Sequence, residues 1–197
     1  AHDLMLSTHG ILKPSTGEPV AVPSKDIAMG CYYLTSVDPD AVGKGRIFSS
    51  ESEAILAHEH NLVSLRAIVK VKLSKPVRDG EPGTKLVETT PGRVIFNSAF
   101  PDDYPYINRV LDRVDLRNLE AEIYEKYGET RTVEFLDKIK TLGFHYSTVS
   151  GLSLGMDDIR IPEEKPALIA EAEKIIDTHQ GLYEEGLLTE YERNSNA

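Results

Sequence analysis

Three acidic pairs stand out among the side chains with reactive chemistry: Asp38-Pro39-Asp40, Asp102-Asp103 and Asp157-Asp158. Carboxylate oxygens are the ligands that hard cations select. None of the pairs has a third acid at i+4, as a compact Asp-x-Asp-x-Asp loop needs. Asp38 and Asp102 therefore read as turn formers, and Asp157 or Asp158 as a loop anchor. His58-Glu59-His60 has the composition of a zinc motif but not its spacing. Two ligands at i and i+4 share a helix face, whereas i and i+2 diverge by about 200°, so these read as polar groups near a helix end. His145 and His179 are isolated. Gly151-Leu152-Ser153-Leu154-Gly155 has the spacing of a nucleophile elbow, which sits between a strand and a helix and needs a later His and acid; His179 meets that need only formally. No Gly-x-x-x-x-Gly-Lys or Gly-x-Gly-x-x-Gly phosphate cradle occurs. The single Cys31 makes neither an internal disulfide nor a zinc cage, and beside Tyr32 and Tyr33 it reads as a small apolar filler in a protein of a reducing cytoplasm.

Punctuation and period locate the elements that carry these residues. Residues 1–30 hold Gly10, Pro14, Gly17, Pro19, Pro23 and Gly30, too much interruption for a long helix. A turn at Gly17, a short extended piece and a helix start at Ser24 are expected there. Ser50-Glu51-Ser52-Glu53 is a capping box and predicts a short helix through Ala54, Ile55 and Leu56 to about His60. Val63, Leu65, Ala67, Val69, Val71 and Leu73 alternate with Ser64, Arg66, Ile68, Lys70 and Lys72, which predicts one strand over the whole run with one buried face. Gly80, Pro82 and Gly83 mark a loop. Strand pieces at 85–90 and 93–96 follow, interrupted at Pro91-Gly92.

The rest predicts helices. One is capped by Asp115, with Leu116, Leu119, Ile123 and Tyr127 as its stripe and Gly128 as its stop; another runs from Thr132 to Leu142 and stops at Gly143. Helix, break and helix is also the outline of a DNA-binding helix-turn-helix. However, the second helix offers Glu134 and Asp137 against Lys138 and Lys140, a charge balance that suits packing better than a DNA groove. After Pro162 comes the longest helix, 163–185, with Leu168, Ala172, Ile175, Ile176, His179 and Leu182–Tyr183 on its apolar side. It ends at Gly186. Leu187-Leu188 follow, and Thr189-Glu190-Tyr191-Glu192 forms another capping box. So short a turn folds two helices back antiparallel. The return arm stops at Ala197 before it covers the first arm's stripe, so the chain reads as an excised piece ending in a truncated antiparallel coiled coil.

The chain has 197 residues, 40% of them hydrophobic and 27% charged, with a net charge of −10. That is enough for one ordinary domain or two small ones. No apolar run approaches the ~18 residues of a membrane span, and residues 1–30 lack the charged start and apolar run of a secretory signal. Such an acidic chain is a poor binder of phosphate backbones by itself. Between Pro162 and Arg193 nine acids face three bases, which suits a solvated face or a docking surface for basic partners. The expected fold is α+β: a small β-rich middle, then helices, then a protruding helical hairpin. On the residues alone, this is a protein with an acidic hairpin and no self-contained catalytic site. A free-standing acidic helical-hairpin interaction module is the alternative reading.

Several stretches, in order, resemble one family, the largest (β′) subunit of bacterial DNA-directed RNA polymerase. They are Leu4-Met5-Leu6-Ser7, Gly17-Glu18-Pro19 through Val22-Pro23-Ser24-Lys25-Asp26, and Gly30 with Tyr32-Tyr33-Leu34-Thr35. Thr89-Thr90-Pro91-Gly92-Arg93-Val94, Gly143-Phe144 and Gly151 to Gly155 leading into Met156-Asp157-Asp158 continue the series. Ile161-Pro162-Glu163-Glu164-Lys165 and Gly186-Leu187-Leu188-Thr189 with Glu192-Arg193 complete it.

The resemblance implies a piece that follows the catalytic magnesium loop. Residues 1–30 would be the end of the active-site domain. Residues 31–161 would be the pore domain, β-rich over 61–100 and helical over 105–143, and 162–197 would start the funnel domain with its rim hairpin. These parts line the secondary channel through which NTPs reach the active site, in a cytoplasmic, nucleoid-associated enzyme. The family's catalytic residues and Mg2+ would lie outside this piece, and the isolated piece would be inactive. Partners implied are the β and α subunits, NTPs in transit, and transcript-cleavage or other secondary-channel factors that dock on the rim tip. DNA and RNA would be met only through the whole enzyme. The docking role falls on Leu187, Leu188, Glu190, Glu192 and Arg193. Some members bind guanosine tetraphosphate through a Lys, an Ile and an Asp; these positions read Thr130, Glu134 and Asp137 here, so Asp137 alone is kept and Glu134 would repel a polyphosphate. Beyond Arg193 the family continues with Tyr and a helical run, whereas this chain has Asn194-Ser195-Asn196-Ala197.

Overall fold

Residues 5–78 and 86–196 are described in a computed structural model. Leu4, the loop glycines Gly80 and Gly83 with Pro82, the first residue of the 85–90 strand, and Ala197 lie outside the described residues. The chain divides into two units, Ala1–Leu152 and Ser153–Ala197.

In the first unit, a short 3-10 turn at Ser7–His9 leads into a tight reversal at Gly17 (φ 70°), with Leu12 bridging Pro19. Helix α1 (Asp26–Thr35) begins two residues after the expected Ser24, whose carbonyl accepts the Ile27 N–H at 3.1 Å. Strand β1 (Ile47–Phe48) precedes helix α2 (Glu51–Glu59). Ser50 caps that helix, its hydroxyl accepting the Glu53 N–H at 3.2 Å, and the Glu53 carboxylate reaches back one residue further, to the Ser49 N–H and hydroxyl at 2.7 Å.

Strands β2 (Val69–Lys72) and β3 (Leu86–Thr89) pair antiparallel, with Val71 opposite Val87, and β1 adds in parallel to β2. The eleven-residue strand is therefore corrected to four. Its period is nonetheless expressed as burial: Val63, Leu65, Ala67, Val69, Val71 and Leu73 are all inside. Only residues 69–72 find a ladder partner; before them the chain turns at 65–66, where the Ala67 N–H bonds to the Ser64 carbonyl at 3.1 Å, and the Arg66 carbonyl accepts the Asp38 N–H and the Ile68 carbonyl the Gly45 N–H.

The strand expected at 93–96 is overturned, and with it a wholly β-rich 61–100. Pro91–Asn97 is helix α3. Thr90 accepts the Arg93 N–H at 3.2 Å, and Pro91 sits in the first turn, where its missing donor costs nothing. Pro-Gly is the helix start here.

Helix α4 (Arg113–Ser150) is two helical arms meeting at a kink, as expected, and the second arm extends past 143. Asp112, not Asp115, is its cap: the two aspartates form a reciprocal box, Asp115 N–H to Asp112 at 2.8 Å and Asp112 N–H to Asp115 at 3.3 Å. Gly128 (φ 75°, ψ −177°) breaks it where a stop was expected, and the helix resumes at once. Gly143 is no stop. It lies mid-helix where α1 crosses α4, and a Cβ built on Gly30 would fall 1.9 Å from the Gly143 carbonyl oxygen. Only two glycines let these backbones approach so closely.

Two apolar clusters result. Leu34, Phe96, Phe100, Tyr104, Leu116, Ile123, Phe135 and Ile139 belong to one, between α1, α3 and α4. Phe48, Ala54, Val69, Val71, Val94 and Tyr106 belong to the other, under the sheet and α2.

In the second unit, Asp158 anchors a 3-10 turn (Met156–Asp158) by accepting the Gly155 N–H at 2.8 Å, the loop-anchor role expected of it. Helix α5 (Lys165–Glu184), with proline in its first turn, leads through Gly186 to helix α6 (Glu190–Asn196). Helices plus a three-stranded sheet make the chain α+β, as composition and period predict.

Candidate functional site

The turn between α5 and α6 is built by backbone chemistry that the sequence specifies. Gly186 adopts φ 76°, its N–H bonding to the Tyr183 carbonyl at 3.0 Å and the Leu187 N–H to Leu182 at 2.9 Å. That pair of bonds is a Schellman closure, which satisfies carbonyls left over at the end of α5. Three residues on, Thr189 accepts the Glu192 N–H at 3.3 Å, and the Glu192 carboxylate accepts the Thr189 N–H at 2.9 Å and its hydroxyl at 2.7 Å. Those donors hold the Glu192 carboxyl below the usual carboxylate range. Arg193 then lies 4.7 Å over the Tyr183 ring and reaches Gln180 at 3.5 Å, so α6 folds back along α5.

The five tip residues expected to act together are thus brought into one turn, in two different situations. Leu187 and Glu190 are exposed. Leu188 is half-buried, and Glu192 and Arg193 spend their polar groups inside the hairpin.

Asp137 lies in the first unit, exposed on α4, and pairs with Lys140 at 2.7 Å. It borders a surface cavity of about 450 Å³ with Ser98, Ala99, Lys138, Thr141 and Leu142. Glu134, one turn earlier, pairs with Arg131 at 2.9 Å.

The other chemical groups take structural roles. The Asp38 carboxylate accepts the Asp40 N–H at 3.1 Å, a turn bond. The His58 ring nitrogen Nδ1 lies 3.0 Å from the Val63 carbonyl oxygen, tying the end of α2 to the following segment. Ser153 follows a helix and its αL cap Gly151, with no strand before it, so the elbow geometry is missing. Cys31 is fully buried and burial pushes its thiol up to about 12. Among the described residues, none form a group of three or more His, Cys, Asp or Glu able to hold a metal ion, and no helix is long and apolar enough to cross a membrane.

Sequence reasoning missed Glu120 and Tyr191. Glu120 is fully buried with neither carboxylate oxygen hydrogen-bonded, and burial raises it to about 7. The signal was present: position 120 lies four residues after Leu116, on the buried stripe of α4. Tyr191 is 82% exposed in the first turn of α6. An aromatic between two glutamates of a capping box was the clue there.

The family model described as RNA polymerase Rpb1, domain 3, matches residues 10–159. The chain is 45% identical over 186 residues to the DNA-directed RNA polymerase subunit β′ of Desulforudis audaxviator, covering 94% of this chain and 15% of that subunit. It is 41% identical to the β′ subunit of Caldicellulosiruptor saccharolyticus and 38% to that of Thermoanaerobacter pseudethanolicus, each over 206 residues and 98% of this chain. These alignments span 18% and 17% of those two subunits. Matched by that model from 10 to 159 and by these subunits over nearly all its length, the chain belongs to the RNA polymerase Rpb1 domain 3 family, as part of a bacterial β′ subunit.

Proposed function

We propose that this segment forms part of the wall of the secondary channel of DNA-directed RNA polymerase, and that the α5–α6 turn docks transcript-cleavage or related factors at the channel mouth. The whole enzyme would transfer nucleotidyl groups from NTPs in the cytoplasm, assembled with β and α and in contact with DNA and RNA. The catalytic Mg2+ would be held elsewhere in the subunit. This segment's part would be shape and access.

The observation that carries the docking reading is the closure of the turn by Gly186 and the Thr189–Glu192 box, which leaves Leu187 and Glu190 exposed. An acidic, partly apolar surface suits a protein partner better than a nucleic acid. Asp137 borders a cavity, but the carboxylate of Glu134 on the same helix supports no polyphosphate site there.

Hydrogen exchange of the whole polymerase with and without a transcript-cleavage factor tests the proposal. Slower amide exchange over 182–193 on adding the factor is the expected result. Unchanged exchange there, with protection only at other surfaces, would overturn it.

A further inference from the structure

The three-stranded sheet has one closed edge and one open edge. On β3 the Asn108 side chain donates to the Glu88 carbonyl at 2.8 Å and covers that side. β1 forms the other edge. There the Lys70 N–H bonds to the Arg46 carbonyl at 2.8 Å, while Ile47 stands beside Lys70 in register. In a parallel ladder a residue so placed turns its own N–H and carbonyl away from the paired strand. We infer that this edge is a docking site for an extended acidic segment of a separate protein, which pairs with Ile47 and sets its carboxylates against Lys44, Arg46, Lys70 and Lys72. The surface lies wholly within the first unit and owes nothing to the hairpin.

The charge around this edge runs against that of the whole chain. Residues 41–50 and 63–78 contain seven bases and no acid, in a protein of net charge −10. Three of the seven are used locally. Arg66 pairs with Asp38 at 3.4 Å, Arg78 with Glu122 at 2.7 Å, and Lys75 donates to the Pro101 carbonyl at 2.9 Å. Lys44, Arg46, Lys70 and Lys72 are exposed, and none of them is in an ion pair among the described residues. Glu88 stands opposite Lys70 in register on β3 without pairing with it. Ile47, in the midst of these cations, is 65% exposed. Uncompensated cations around an apolar edge residue select carboxylates.

The open edge decides what carries those carboxylates. Strand addition needs alternating N–H and C=O groups, which a polypeptide has and a phosphate backbone lacks. An added strand puts every second side chain on the face that Lys70 and Lys72 occupy, so alternating acids fit it. Bases at an edge also repel an identical edge, which rules against a second copy of this chain.

The probe is a short fluorescent peptide alternating glutamate with valine, titrated into whole polymerase; its lysine-for-glutamate counterpart is the control. The acidic peptide is expected to bind, to weaken as salt rises, and to slow amide exchange over 44–49. Lys70→Gln combined with Lys72→Gln in the full-length subunit is expected to weaken binding about fivefold at low salt. Ile47→Pro removes the outward N–H and is tolerated on an edge strand, and is expected to weaken binding by a similar factor. Ile47→Val, with its backbone unchanged, should stay within about twofold of the parent.

Equal binding of the basic peptide, or binding that the paired lysine substitutions leave at the parent level, would overturn the inference. So would unchanged exchange over 44–49 in the parent enzyme, a reading that does not depend on how the proline variant folds. An RNA or DNA oligonucleotide that displaces the peptide would assign the face to phosphates and overturn it as well.

Discussion

Replacing Glu120 by leucine should stabilise the chain, and by more as pH rises. The carboxyl is fully buried and unbonded, and burial lifts it to about 7 from an ordinary 4.5. A carboxyl whose pKa is raised on folding binds its proton more tightly in the native state. Its contribution is therefore least unfavourable below the unfolded value, and stability is lost as pH climbs through the interval between 4.5 and about 7. At roughly 1.4 kcal/mol per decade, the loss amounts to about 3 kcal/mol by pH 8. Leucine has similar volume, joins the stripe of Leu116, Leu119 and Ile123, and removes both the ionisation and the unmet hydrogen bonds. Urea unfolding of the chain followed by circular dichroism should show a gain of ~1 kcal/mol at pH 4, where only the unbonded neutral acid is relieved. The gain should widen to about 4 kcal/mol at pH 8. A gain that does not vary between these pH values would refute the reasoning, because it would mean that the native carboxyl titrates as it does in the unfolded chain.

Gly30→Ala should be among the most damaging small substitutions. Its Cβ would fall 1.9 Å from the Gly143 carbonyl, and forced separation of two packed helices costs about 3 kcal/mol or more, readable as a lower urea midpoint. Cys31, fully buried with its thiol pushed up to about 12, should resist a thiol reagent at pH 8 in the folded chain and react at once in urea; labelling at equal rates in both states would contradict its placement. Thr90→Ala should cost about 1 kcal/mol by removing the cap of α3, again measured by urea unfolding. The Glu192 carboxyl, held below its usual range by the Thr189 N–H and hydroxyl, stabilises the turn at neutral pH. That support is lost as pH falls through the lowered value, so amides at 190–193 should exchange faster in acid relative to Glu192→Gln.

Burial was easier to read from sequence than hydrogen-bonding partners. The period of two over 63–73 marked the inward side chains correctly but overstated the strand, because a ladder also needs a neighbouring strand and only residues 69–72 have one. Pro-Gly at 91–92 is ambiguous by itself. Thr90, placed to cap, decides for a helix, and that choice rests on a single side-chain bond. Gly143 was misread for a different reason. A glycine that ends a helix and one that lets another helix approach look alike until the second helix, carrying Gly30, is in place. At the hairpin the local code was complete, since Gly186 and the Thr189–Glu192 box act over a few residues. What stayed hidden there was which members of the tip turn inward, because that depends on Arg193 finding Tyr183 ten residues back.

The docking account is tested most directly by a photo-cross-linker placed at Leu188 in whole polymerase engaged on template with a transcript-cleavage factor present. The account predicts capture of the factor. Labelling of template DNA in its place would contradict it.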